Sequence, residues 1–282
     1  MNFTFETKQR VLWGLVLGVA LIIIILYLGP TAIAVTTTLA AALGWREYSR
    51  MHGIMRYHFL HYLGFSLVIA LMVSSFVDQV PNVLGACLVP LASILSIFLE
   101  DIFSPGGRCR SKTPEESRKD FQAFMLFNFG IYYIAMVFGF VPLIAIKSDG
   151  HLILFFALLV VTCVDTGSYM GGRMFGKRKL WPSISPGKTI EGFLGGLIAA
   201  IAAGVLFPLI AAKFFSSPIE MEKFLLGAIV ATPLAVAGDN IESLIKRGAG
   251  VKDSGGLIPG HGGILDRADS LLFVIPFFYY LF

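Results

Sequence analysis

Charge is what this sequence has little of. Lys, Arg, Asp and Glu together make up 14% of its 282 residues, where an ordinary soluble domain carries about 25%. Hydrophobic residues fill 56% of the positions and the mean hydropathy is +0.78, so a soluble globular fold is excluded. Cysteine is also scarce: Cys87, Cys109 and Cys163 have neither paired nor metal-ligand spacing, which argues against a disulfide framework or a zinc centre. Cys87 and Cys163 lie in apolar runs and read as small core residues. The chain lacks low-complexity tracts, long linkers and short repeats. No small-residue cleavage site follows the first apolar run, Leu12 to Gly29, so this run is expected to stay as a span instead of being removed as a signal peptide.

What is there in abundance is long apolar sequence. A window of about 20 residues finds candidate spans at 12–29, 31–45, 58–76, 82–99, 122–146, 151–171, 190–212, 223–243 and 264–282. The second is the weakest, because it follows the turn signal Gly29-Pro30 and contains Thr36, Thr37 and Thr38. With the N-terminus in the cytoplasm, all but Lys147, Lys213 and Lys223 of the 22 Lys and Arg residues fall on the inner side. That asymmetry predicts an all-α integral membrane protein of about nine transmembrane helices, its N-terminus cytoplasmic and its C-terminus on the opposite side. The expected location is the inner, cytoplasmic membrane. Residues 1–282 read as one polytopic unit, with N-terminal spans over 1–121 and a half bearing the chemistry over 122–282. The charged stretch from Glu100 to Asp120 reads as a topology anchor more than a lipid contact.

Two glycine-rich polar loops, 166–190 and 243–267, would both face the cytoplasm. The earlier one follows Asp165, an acid at the end of an apolar run where an unpaired carboxylate is costly. It runs through Tyr169 to Ser185-Pro186, Lys188-Thr189 and Glu191, which resembles a helix start, with hydroxyls and free N–H groups suited to an anion. Basic loops on the inner side are the rule, so this loop by itself leaves phosphate contact and topology-setting charge equally open.

The later segment, Ser243 to Asp269, packs four basic residues, three acids, one His and seven glycines between apolar runs. Acids suit a hard divalent cation, bases suit phosphate oxygens, and glycine N–H groups can cradle phosphate. Asp239, Ser243 and Lys246 share a helix face at i, i+4 and i+7, and Asp266 and Asp269 stand at i and i+3. Two neighbouring helix ends can thus aim carboxylates at one spot. The competing reading is simple ion pairing, Asp239 with Lys246 or Asp266 with Arg267. His261, in a flexible Pro-Gly-His-Gly-Gly run, is either a phosphate donor or general acid/base, or a loop histidine that shapes the turn.

The run Ser243, Ile245-Lys246-Arg247, Lys252-Asp253, Gly255, Pro259, His261-Gly262-Gly263 and Asp266-Arg267-Ala268-Asp269 resembles the signature of the phosphatidate cytidylyltransferases (CDP-diacylglycerol synthases). Asp165, Tyr169, Gly172, Gly176, Ser185-Pro186, Lys188-Thr189 and Glu191-Gly192 resemble the same family upstream. Trp45-Arg46-Glu47 is the one N-terminal match. Ala268, Gly187 and Ile190 depart from the family pattern at flanking positions.

The resemblance implies transfer of CMP from CTP to phosphatidate, giving CDP-diacylglycerol and pyrophosphate. It makes Asp239 and Asp266 metal ligands, completed by Asp269, for Mg²⁺, and is compatible with a second cation, K⁺ or another Mg²⁺. Lys246, Arg247, Lys252 and Arg267 would hold phosphates, with Asp253 and His261 beside them in the catalytic set. Asp165, Tyr169, Ser185, Lys188, Thr189, Glu191, Ser243, Gly262 and Gly263 would bind substrate. The partners expected are CTP, phosphatidate and membrane lipid; no nucleic acid is expected, and a homodimer is compatible with the resemblance. Two other readings stay open at this point: a CTP-dependent lipid kinase, and a transporter whose intramembrane acids couple to an ion.

Overall fold

The computed structural model describes residues 5–78, 89–103, 113–182, 185–214, 220–257 and 262–282. Much of the expected span 82–99, Cys87, Cys109 and His261 lie outside the described residues.

Helices dominate, as the apolar runs require. In chain order they are α1 (Phe5–Tyr27), α2 (Gly29–Met51), a 3₁₀ turn (Ile54–Arg56), α3 (His58–Asp78), α4 (Val89–Phe103) and α5 (Pro114–Ile131). A π-turn (Tyr132–Met136) leads to α6 (Phe140–Ala145), followed by α7 (Gly150–Phe175), α8 (Ile190–Phe214), α9 (Met221–Gly248) and α10 (Leu265–Leu281). Local signals set the boundaries. Thr113 caps α5 in a reciprocal capping box with Glu116, and Pro114 occupies the first turn.

Among the described residues, five stretches are long and apolar enough to cross a membrane: His58–Asp78, Pro114–Ala145, Gly150–Phe175, Ile190–Phe214 and Met221–Gly248. Their outward faces carry large apolar side chains, among them Tyr62, Ile198 and Leu206. In water that surface would be unfavourable; facing lipid tails it costs nothing. The chain is therefore built as a multi-pass membrane protein.

The helices overrun the apolar windows. α7 continues to Phe175, so Asp165 and Tyr169 stand on a helix, with the polar loop beginning after them. The expected helix start at Ser185 is a strand instead: Ser185–Thr189 pairs antiparallel with Lys179–Trp181 as β2 with β1, and α8 begins at Ile190. Glu191 explains the shift. Its carboxylate accepts the backbone N–H groups of Lys177 and Arg178, tying the hairpin to the first turn of α8, while Thr189 Oγ1 caps the helix by accepting from Gly192 N–H.

Two hydrophobic cores hold the bundle. One gathers Phe156, Phe207, Phe224 and Phe278 from α7 to α10, with Ile25 and Ile33 packed in from α1 and α2. The other is built on Trp45 and Tyr48 of α2, with Leu60, Val68 and Phe127. Helix α10 serves both, giving Leu265 and Leu272 to the second and Val274, Ile275 and Phe278 to the first. Its N-terminal end is thereby wedged between the two halves of the protein.

Candidate active site

Helices α7 and α8 approach backbone to backbone. A Cβ on Gly167 would lie 2.6 Å from the Gly195 carbonyl oxygen, and one on Gly195 equally close to that of Gly167. Only small residues permit such proximity. Gly238 does the same on α9, where an added Cβ would collide with the Asp269 carbonyl of α10. These seams carry Asp165, Asp239 and Asp269 toward one another, and the three carboxylates lie close enough to repel.

A cavity of about 510 Å³ opens beside them, lined by Asp165, Tyr169, Arg173, Lys188, Thr189 and Asp239 among others. Lys188, on the hairpin, reaches across it. Its ammonium forms an ion pair with Asp239 Oδ2 at 2.7 Å and donates to the Val236 carbonyl at 3.2 Å. The hairpin and helix α9, some fifty residues apart in sequence, therefore meet on one wall. Arg173 donates to the Tyr169 hydroxyl at 2.7 Å, holding a second cation at the rim.

The downstream loop makes a different arrangement. Lys246 bridges Glu242 and Asp266, with Nζ 2.6 Å from an oxygen of each. Asp266 Oδ1 takes Lys246, whereas Oδ2 accepts from Ser254 N–H, the Ser254 hydroxyl and Gly263 N–H. Gly262 enables the last of these: its φ of +81° is a left-handed turn that suits glycine. Neither ion pair considered from sequence forms. Asp239 takes Lys188 and Asp266 takes Lys246, because the hairpin and the helix turn bring those ammonium groups nearer.

The remaining residues divide clearly. Arg267 lies near enough to Asp165 and Asp269 to offset their charge, and it also borders an apolar cavity of about 230 Å³ between α1, α2 and α10. Arg247, Lys252 and Asp253 are exposed; Arg247 donates to the Val251 carbonyl. Ser185 and Glu191 serve the hairpin, and Ser243 is half-buried on α9.

A model of the family described as "Cytidylyltransferase family" matches residues 8–282. The chain belongs to that family. Within it, the protein called phosphatidate cytidylyltransferase of Bacillus subtilis is 45% identical over 150 residues, covering 53% of this chain and 54% of the relative. That of Staphylococcus haemolyticus is 46% identical over 155 residues, 55% of this chain and 58% of the relative. Staphylococcus aureus has one 43% identical over 155 residues, with the same two shares. The chain spans little more than half the length of the curated relatives it matches.

Three residues in this cytidylyltransferase-family site escaped sequence reasoning. Glu242 is visible in hindsight as an acid four residues before Lys246 on one helix face. Ser254 carries no signal beyond its polarity. Glu47, on α2, accepts from Ile264 N–H, Leu265 N–H and the Ser254 hydroxyl, all more than 200 residues away. Its hint was the Trp45-Arg46-Glu47 resemblance at the end of an apolar run, which gave it no role.

Proposed function

We propose that this chain transfers CMP from CTP to phosphatidate, releasing pyrophosphate and CDP-diacylglycerol. The observation that carries the reading is the Lys188–Asp239 contact, which ties the upstream family-like segment, at the cavity, to the helix α9 that runs on into the Ser243–Asp269 segment. A phosphatidate oxygen attacks the α-phosphorus of CTP in line; the new P–O bond forms as the bond to the β-phosphate oxygen breaks. Such transfers depend on positioning and charge neutralisation more than on covalent help. Lys188, Arg173 and Thr189 line the cavity and are placed to hold the triphosphate. Arg267 is suited to the lipid phosphate, because it borders an apolar cavity that fits acyl chains. Lys246, Arg247 and Lys252 complete the basic set.

A cation fits the charge pattern. The carboxylates of Asp165, Asp239, Glu242, Asp266 and Asp269 interact with one another and with the cations Lys188, Lys246 and Arg267. Among the described residues no three Asp, Glu, His or Cys side chains surround a single point. Mg²⁺ needs only one or two protein carboxylates when waters and substrate phosphates fill its other positions. Asp239 and Asp266 would hold it, with Asp269 completing the site. When bound, the ion would neutralise charge developing on the phosphates. The basic-residue asymmetry supports a site on the cytoplasmic face, where CTP is found and the lipid head group is within reach.

The test is pyrophosphate release from CTP in detergent micelles, with and without phosphatidate and Mg²⁺. Release that needs all three, lost in Asp239→Ala while the protein stays folded, is the expected result. CDP as the nucleotide product would point to a lipid kinase and overturn the assignment.

A further inference from the structure

The end of α2 is among the most firmly held parts of the protein. Trp45 and Tyr48 are fully buried there; the Trp45 indole N–H donates to the His61 carbonyl and the Tyr48 hydroxyl to that of Leu126. Between them Glu47, only 8% exposed, points its carboxylate away from its own helix and into the signature loop. Oε1 accepts from Ile264 N–H at 3.0 Å; Oε2 accepts from Leu265 N–H and the Ser254 hydroxyl, each at 3.2 Å. The two amides belong to the first turn of α10, whose N–H groups have no partner within the helix and favour a negative charge.

Two of the loop's glycines are explained by this carboxylate. A Cβ on Gly255 would lie 2.7 Å from Glu47 Oε1, and one on Gly263 would overlap both Glu47 Oε2 and the Ser254 hydroxyl. Gly255 and Gly263 are therefore occupied with letting the loop close over Glu47. That gives them a use other than the phosphate cradle their sequence context suggested.

Ser254 connects Glu47 to the chemistry. Its hydroxyl lies within hydrogen-bonding reach of Glu47 Oε2 and of Asp266 Oδ2, and a hydroxyl has one proton to share. Its backbone N–H and that of Gly263 also go to Asp266. Whatever fixes Ser254 and the α10 terminus thus fixes the Asp266 carboxylate, leaving Oδ1 aimed at Lys246.

We infer that Glu47 is a positioning residue for the reaction: from α2 it orients Asp266, through Ser254 and the first turn of α10, so that this carboxylate can serve the cation. The inference rests on the reading of Asp266 as a metal ligand. Partners that orient a metal-binding carboxylate are typically worth about 10- to 100-fold in metal affinity or activity.

The experiment compares full-length wild type with Glu47→Ala, Glu47→Gln and, as a control on the same helix end, Tyr48→Phe. Glu47→Gln keeps the shape but presents an NH₂ group to an amide donor, so it stays informative if Glu47→Ala does not fold. Two Mg²⁺ titrations are read. One follows pyrophosphate release. The other follows the rise in melting temperature without substrate, which reports ion binding independently of turnover. In both, half-saturation should move upward by about 10- to 100-fold in the Glu47 variants and stay at the wild-type value in Tyr48→Phe. Unchanged Mg²⁺ dependence in a folded Glu47 variant, or an equal shift in Tyr48→Phe, overturns the proposal. Wild type that is stabilised by Mg²⁺ yet releases no pyrophosphate would sink the function while the second titration still decides Glu47. Wild type that shows neither response would sink both.

Discussion

Removing the ammonium of Lys246 tests the charge arrangement directly. Its side chain is 13% exposed and sits between Glu242 and Asp266, whose side chains are 2% and 6% exposed. The other Glu242 oxygen, Oε1, is buried and has no hydrogen-bond partner. Lys246→Met keeps most of the volume and leaves two buried carboxylates facing each other with no ammonium between them. Breaking a buried pair from one side costs about 3–5 kcal/mol. At roughly 2–4 °C per kcal/mol for a chain of this size, the melting temperature in detergent should fall by roughly 6–20 °C. Lys223→Met is the reference: its partner Glu220 is 64% exposed, and such surface pairs contribute about 0–1 kcal/mol. Adding Glu242→Gln to Lys246→Met removes one stranded charge and should recover part of the loss. If Lys246→Met melts no lower than Lys223→Met, or the double variant melts below the single one, the electrostatic account is wrong.

Two further outcomes follow from the same geometry. Gly263→Ala should unseat the Asp266 loop and cut pyrophosphate release by more than tenfold, because its methyl would occupy the space of Glu47 and Ser254. Gly18→Ala, on α1 where an added Cβ meets nothing within 4 Å, should keep wild-type activity; the reverse pattern would contradict the packing. Lys188→Ala removes the cation shared by Asp239 and the cavity. Loss of a charge-assisted hydrogen bond, about 1.5–3 kcal/mol, lowers kcat/KM for CTP by about 10- to 150-fold. Unaltered steady-state kinetics would remove Lys188 from the site.

Much of the site was legible before any coordinates, though unevenly. The spacing from Ser243 to Asp269 marked the family, and the acids Asp239, Asp266 and Asp269 were visible as helix-end carboxylates. The hairpin at Lys179–Thr189 was not. Its Ser-Pro start imitates a helix cap, and the group that decides against one, the Glu191 carboxylate bonding back to Lys177 and Arg178, comes after the turn it controls. The ends of α7 and α9 run a few residues past the apolar windows for a related reason. Hydropathy reports where apolar sequence stops, while a helix continues as long as its backbone bonds and its neighbours allow. Tyr169 and Arg173, inside the expected loop 166–190, consequently stand on a helix wall.

By itself the sequence determined the solvent this protein lives in, because so few charges over so many apolar runs leave lipid as the favourable surroundings. It also determined the family, through residue types at constant spacing. Only the tertiary structure decided which opposite charges meet. Lys188 takes Asp239, Lys246 takes Asp266, and Glu47 takes the amides of Ile264 and Leu265. The physical reason is range: propensity and periodicity act over a few residues, whereas ion pairs and caps form wherever packing brings chain segments together. In this bundle, close glycine seams bring the acids of three helices together, and α2 closes on a loop more than 200 residues further along.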